Sequence, residues 1–234
     1  MNDELELETY LSISPNKFGI YLFDKKNLKN LYKKELVLNE NSNFLNFDFL
    51  KEFLDTNIFK IEKLNGKFIE NIFCIIQNNN ILNLNFGIKK KNYNNHINKN
   101  HLENFLVEAK DIFKKNYQNQ KLMHMIINKY VINGKSYPSI PNDLQCEHLI
   151  LEFEFKSIPT NLINDLNNIL GKYHIKVIKY LDGHYIKNFF KGSEIDISEM
   201  ANKITNGLNE NEVNIVPKNP KNYGFFEKFF QLFS

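Results

Sequence analysis

Two kinds of apolar pattern alternate along this chain between Thr9 and Leu181. Short runs rich in β-branched and aromatic residues are typical of strands, whereas longer segments carry apolar residues at the spacing of an amphipathic helix. A chain that alternates the two patterns packs its strands and helices against each other in mixed layers. We therefore predict an α/β (α+β) fold with short strands and at least three helices.

Turn-forming residues give the predicted elements their boundaries. Ser14-Pro15-Asn16-Lys17 separates the first two strands, and Asn133-Gly134 suits a tight turn after a later one. Predicted strands lie within residues 9–23, 31–38, 68–77, 81–89, 122–132, 149–156 and 175–181. Predicted helices begin after a cap at Asp48, run from His101 to Lys115, and run from a cap at Thr160 to Gly171, with a weaker one around Ile197.

The charge balance argues against a nucleic-acid partner. The chain carries 30 basic and 27 acidic residues, a net charge of +3, so no strong positive field surrounds it. The segment 89–100 is basic and rich in Asn, but Tyr93 is its only aromatic residue, and bases need aromatic rings to stack on. We interpret this segment as a solvated loop.

The sequence lacks the motifs of catalysis and metal binding. Its six histidines show no HExxH spacing, and neither a GxSxG elbow nor a GxxxxGK[ST] phosphate loop occurs. The two cysteines, Cys74 and Cys146, are far apart and form no CxxC pair, which is typical of buried thiols in a reducing cytoplasm. We predict no enzymatic activity, no metal and no cofactor.

The first ten residues are acidic, so we predict no signal peptide, and no run of about eighteen apolar residues predicts a membrane span. We expect a cytoplasmic protein.

The last eleven residues, 224–234, have the pattern of a short membrane-surface helix. At 100° per residue their apolar side chains fall within one arc of roughly 160°, and polar residues occupy the rest. A polar stretch broken by Pro217 and Pro220 precedes them and suits a detached segment, although packing into the protein's own core remains the alternative. The predicted membrane-binding residues are Phe225, Phe226, Lys228, Phe229, Phe230, Leu232 and Phe233.

Three stretches resemble the FtsA family of actin-like bacterial cell-division proteins, over roughly residues 7–190. LSISPNKFGIYLF lies where that family has its first phosphate loop between two strands, and HINKNHLENFLVEAK resembles the helix that opens its inserted SHS2 or 1C subdomain. LMHMIINKYVINGKSYPSIP, followed by LILEFEF, is similar to a later strand, turn and strand of the family. Matching positions there are His124, Tyr130, Gly134, Pro141 and Leu149.

Two departures from the family bear on activity. The family's first phosphate loop reads Asp-x-Gly-Thr, whereas Ser12, Ser14 and Pro15 stand in that stretch here, so both the metal-orienting carboxylate and the close backbone approach to phosphate are missing. A second glycine-rich phosphate loop does not follow Leu181. A functional actin-type ATPase is therefore the least favoured function.

The resemblance implies a domain order and a role. It predicts a partial actin-like 1A-type subdomain (7–80), an SHS2/1C-like interaction subdomain with a return strand (81–181), a weak helix and linker (182–223), and the membrane-targeting helix (224–234). It implies a non-catalytic adaptor of the divisome on the inner face of the cell membrane, with midcell as its implied location. Implied partners are anionic lipids, division proteins, an FtsA-like protein, or a second copy of the chain; the alternative is an adaptor of another membrane machine such as pilus assembly.

Overall fold

The computed structural model describes residues 6–38, 44–96, 99–141 and 145–213, without the side chains of 92–96 and 99–100. The strands in these ranges are β1 (Leu7–Ser14), β2 (Lys17–Asp24), β3 (Lys29–Val37), β4 (Asn71–Ile76), β5 (Leu82–His96), β6 (Gln120–Ile132), β7 (Lys135–Tyr137), β8 (Gln145–Pro159) and β9 (Lys176–Asp182). The helices are α1 (Phe47–Asn65), α2 (Lys99–Asn116), α3 (Thr160–Gly171), α4 (Gly183–Phe189) and α5 (Ile197–Thr205).

The first sheet has the strand order β3-β2-β1-β4-β9. Strands β1, β2 and β3 pair antiparallel, whereas β1, β4 and β9 run parallel to each other. Helices α1 and α3 cover one face, where Leu11 and Ile13 of β1 join the core, and α4 and α5 cover the other face beside Tyr10. Successive side chains of β1 point to opposite faces of the sheet, and both faces are covered by helices. The last six residues of β1 are therefore all buried.

The second sheet is antiparallel, has the order β5-β8-β6-β7, and is covered on one face by α2. Phe105 of α2 is 2% exposed and packs with Phe153 and Phe155 of β8 in a core separate from that of the first sheet. This confirms the helix predicted from His101 to Lys115. The apolar residues at helical spacing in α2 form a stripe that is mostly buried, but Ile112 at its margin is 39% exposed.

The chain builds the second sheet between β4 and β9, and then returns to the first sheet through α3. The predicted α+β class, with one sheet-and-helix unit inserted into another, is therefore confirmed. The predicted terminal helix at 224–234 lies outside the described residues.

Several boundaries differ from the predictions for local reasons. Asn46, not Asp48, caps α1, because its side-chain oxygen accepts the N–H groups of Asp48 and Phe49 at 3.2 Å. Pro159 precedes α3, and Thr160 is the first helical residue. The predicted loop over 89–100 is wrong: β5 continues to His96 because its backbone pairs with β8 despite the polar sequence.

Candidate functional site

The carboxyl ends of β1, β4 and β9 meet at one edge of the first sheet. Ile13 is in register with Ile76, and Ile76 with Asp182. Loops that follow parallel strands at such an edge form the ligand crevice in many α/β proteins. The resemblance places the first phosphate loop here, so this edge is where a nucleotide site is expected.

The β1–β2 connection at this edge is a closed two-residue turn. Ser14 and Lys17 are paired in the ladder, and the Ser14 hydroxyl lies 2.9 Å from both Oδ1 of Asn16 and the carbonyl oxygen of Lys17. Pro15 has no backbone N–H, and the turn contains no glycine. The turn therefore lacks the row of N–H groups that cradles a phosphate.

Gln77 follows β4 at this edge and contacts the start of α4. Its backbone N–H donates to the carbonyl of Ile13 at 2.8 Å, and its side chain packs on Gly183, where a Cβ would overlap Cγ of Gln77. The Lys187 ammonium donates to Oε1 of Gln77 at 3.0 Å. Burial lowers the pKa of Lys187, and the charge of Lys17 lowers it further. Gln77 and Lys187 thus lie at this edge, Gln77 half-buried and Lys187 exposed.

Asp182 is the carboxylate at this edge, and its two oxygens have structural roles. Oδ1 accepts the N–H of His184 at 2.8 Å and so caps α4, while Oδ2 lies 3.7 Å from Nζ of Lys156 on the inserted sheet. Lys156 also donates to Asn83 and pairs with Glu154, at 2.8 and 2.7 Å. Asp182 therefore contributes to the junction of the two sheets.

A buried polar cluster lies at that junction, around His124 of β6. Nε2 of His124 accepts the backbone N–H of Asp182 at 2.8 Å, which places the proton of the neutral ring on Nδ1. Nδ1 lies 2.8 Å from Oε1 of Glu212, and both side chains are almost fully buried. His124 thereby links β6, β9 and the segment after α5.

Glu212 receives several further contacts. The Tyr185 hydroxyl donates to Oε2 at 2.8 Å, and Nζ of Lys179 lies 3.7 Å from Oε1. Burial raises the pKa of Glu212, but the hydrogen bond from His124, the charge of Lys179 and the hydrogen bond from Tyr185 outweigh it and hold the pKa below its usual value. Glu212 is thus a buried carboxylate whose ionised form is stabilised by its partners.

The segment 209–213 is docked along an open stretch of β6. Ile127 donates its N–H to the carbonyl of Asn211 at 2.9 Å, and Val213 donates to Met125 at 2.8 Å. The side chain of Asn209 donates to the Tyr185 hydroxyl at 2.8 Å. The part of the predicted linker up to residue 213 is therefore packed on the inserted sheet and on α4.

Sequence reasoning singled out His124 only through the family resemblance, and it missed Glu212, Tyr185 and Lys156. No motif links these residues, because they lie on separate elements. A histidine within the apolar run 122–132 was the one available signal, since a buried imidazole needs a polar partner. Glu152 and Glu154, two alternate carboxylates of β8, lie on its partly exposed face.

The predicted membrane-binding residues, Phe225 to Phe233, lie outside the described part of the chain. Within that part, none of the helices combines the length and the apolar character that crossing a membrane requires. The described residues also bring together no group of three or more His, Cys, Asp or Glu side chains suited to hold a metal ion.

No protein family model and no curated protein sequence matches this chain. Several solved structures are similar to it in fold, including the following three. The PilM–PilN complex of type IV pilus biogenesis matches with a TM-score of 0.49 and 7% identity, over 78% of this chain and 49% of that one. The cytoplasmic domain of EpsL, an inner membrane component of the type II secretion system of Vibrio cholerae, matches with a TM-score of 0.38 and 6% identity, over 76% and 59%.

A Bacteroides thetaiotaomicron protein of unknown function, described as having an actin-like ATPase fold, matches with a TM-score of 0.30 and 15% identity, over 81% of this chain and 58% of that one. The chain thus spans about half to three fifths of the length of these three structures.

Proposed function

We propose that this protein is a non-catalytic adaptor that binds the inner face of the cell membrane and acts through protein contacts in the division machinery. In this proposal the first sheet keeps the framework of an actin-like subdomain. The inserted sheet and the terminal segment supply the binding functions. A division protein, an FtsA-like protein or a second copy of the chain is the protein partner.

The closed turn after β1 carries this proposal. A phosphate-binding loop needs a row of free N–H groups after this strand. Pro15 and the two-residue turn supply no such row, and Gln77 packs on Gly183 beside the turn. These contacts support a protein that keeps the framework without the chemistry.

The inserted sheet supports a role in protein contacts, because the part of its face opposite α2 that lies away from the junction presents side chains to solvent. Val131 and Ile150 are in register and half-buried there, and Lys129 pairs with Glu152 at 3.7 Å beside them. A small apolar centre with a charged rim is the usual composition of a protein-binding surface.

The proposed membrane contact is the segment 224–234. Residues 214–223 separate it from Val213, and ten residues reach at most about 36 Å. If the tail is the anchor, it meets the membrane within about that distance of the docked segment 209–213. Binding by one copy should be weak and reversible, because an isolated helix of this length is unstable in water.

Titration with a fluorescent ATP analogue and Mg²⁺ tests the loss of nucleotide chemistry. We expect no saturable signal up to millimolar analogue. Saturable binding in the micromolar range would contradict the proposal, because it would mean that the edge opens to admit phosphates.

Localisation of a fluorescent fusion in dividing cells tests the place of action. A midcell band that disperses on deletion of residues 224–234 is the expected result. Polar foci would instead favour an adaptor of pilus assembly, and diffuse fluorescence of the full chain would contradict the membrane role.

A further inference from the structure

The end of α1 carries a basic and aromatic surface that neither the sheet edge nor the tail accounts for. Phe59 and Leu64 are 71% and 57% exposed on the last two turns of the helix, and Lys60 and Lys63 are exposed between them. At 100° per residue these four side chains span an arc of about 140°. The buried face of α1 lies on the opposite side, at Leu54, Ile58 and Ile61.

Phe68 extends this surface beyond the helix. Gly66 ends α1 in the left-handed conformation, with φ of 69°, and the N–H of Ile69 donates to Oε1 of Glu62 at 3.2 Å. This bond holds the segment after the helix against its last turns. Since Ile69 is buried, the side chain of its neighbour Phe68 points outward and is 81% exposed.

A shallow groove of about 280 Å³ separates Phe68 from Ile178 of β9, which is 56% exposed. Phe73 lies between them in the lining, and Lys67 is exposed at the rim. Glu8 and Glu70 also line the groove, but Glu8 pairs with Lys25 at 3.2 Å. The exposed apolar side chains at the end of α1 thus lie among several exposed lysines.

We propose that this surface, the α1 patch of Phe59, Lys60, Lys63, Leu64, Lys67 and Phe68, is a second membrane contact that inserts Phe68 among anionic lipids. Exposed apolar side chains beside three lysines favour an anionic lipid surface over a protein. Aromatic rings flanked by lysines suit the boundary between headgroups and acyl chains. Lys60, Lys63 and Lys67 form no ion pair with any residue that the structure describes, so their charges are available to anionic headgroups.

This inference rests on the proposed membrane role and adds to it. One weakly bound tail does not fix the orientation of the protein on a membrane. A second contact on the first sheet would do so, and two linked weak contacts bind far more tightly than either alone. The inserted sheet would then be held at a defined distance from the membrane surface, facing its protein partner.

An environment-sensitive fluorophore attached at Phe68→Cys in the full chain tests the α1 patch. The two native cysteines, Cys74 and Cys146, are buried and should not react. We expect a blue shift on adding vesicles of phosphatidylglycerol and phosphatidylcholine, and none with phosphatidylcholine alone. Val37→Cys is the control, because Val37 is 65% exposed at the opposite end of the first sheet and should not shift.

Charge variants give a second readout. Lys60→Gln and Lys63→Gln should each weaken vesicle affinity by about fivefold, the effect of one lysine near an anionic surface. Lys135→Gln, an exposed lysine on the inserted sheet, should leave the affinity unchanged.

Sedimentation of the same samples with vesicles distinguishes failure of the α1 patch from failure of the tail. If the chain pellets with vesicles and the label at position 68 does not shift, the α1 patch is wrong and the tail stands. If Phe229→Glu with Phe230→Glu still pellets and the label shifts, the patch is supported and the tail is wrong. A shift that appears without vesicles as protein concentration rises would overturn the patch in favour of a contact between copies. If nothing pellets, both are overturned.

Discussion

Nδ1 of His124 lies 2.8 Å from Oε1 of Glu212, although the two residues are 88 positions apart in sequence. This buried pair connects the inserted sheet to the segment that leads to the terminal residues. The same ring accepts the N–H of Asp182 at the end of β9. One side chain thus links the inserted sheet, the first sheet and the docked segment 209–213.

Replacing His124 with Ala should therefore destabilise the protein. The substitution leaves the Glu212 carboxylate buried without its main donor, which should cost about 3 kcal/mol of unfolding free energy. The amide hydrogens of Ile127 and Val213 should also exchange faster, because they bond across the docked segment. Urea denaturation and hydrogen exchange measure the two effects.

Glu210→Gln is the matched control, since Glu210 is exposed two residues before Glu212 and should change stability by less than about 0.5 kcal/mol. If the His124→Ala variant were as stable as this control, the pair would contribute nothing to the fold.

The lowered pKa of Glu212 predicts acid sensitivity. A carboxyl group whose pKa is lower in the folded state stabilises the fold above its unfolded pKa of about 4.3, and this contribution is lost as pH falls through the folded value. The parent should therefore lose more unfolding free energy than Glu212→Gln as pH is lowered from about 5 toward 2. Equal losses in urea titrations across this range would show that Glu212 has no part in the acid response.

The two faces of α2 offer a test of the inserted core. Phe105→Asp places a charge among Phe153 and Phe155 and should cost about 4 kcal/mol, enough to unfold the inserted sheet. Ile112→Asp changes an exposed residue of the same helix and should cost less than about 1 kcal/mol. Thermal unfolding compares them. Similar melting of the two variants would mean that Phe105 is not a core residue.

Local signals explain what the sequence predicted. The turn at Pro15 and Asn16 and the apolar stripe of α2 depend on neighbouring residues, so both were predicted correctly. The continuation of β5 to His96 was missed, because a polar edge strand is held by backbone pairing rather than by an apolar pattern.

The candidate sites also combine features that depend on neighbouring residues with features that depend on long-range packing. Ser14 and Pro15 predict from the sequence that the turn after β1 cannot cradle a phosphate, but the packing of Gln77 on Gly183 depends on the return of β9 after an insertion of about a hundred residues. The pairing of His124 with Glu212 depends on the same long-range packing, and no spacing rule predicts it.

Vesicle sedimentation with tail variants tests the central claim, membrane attachment through residues 224–234, most directly. Five phenylalanines half-buried in the lipid interface should contribute about 5 kcal/mol, so the parent chain should pellet with anionic vesicles. Phe229→Leu with Phe230→Leu keeps the apolar face and should still pellet. Phe229→Glu with Phe230→Glu should stay in the supernatant and melt at the parent's temperature. If the glutamate variant pellets like the parent, the tail is not the membrane anchor; if it melts much lower than the parent, the tail packs into the protein's own core instead.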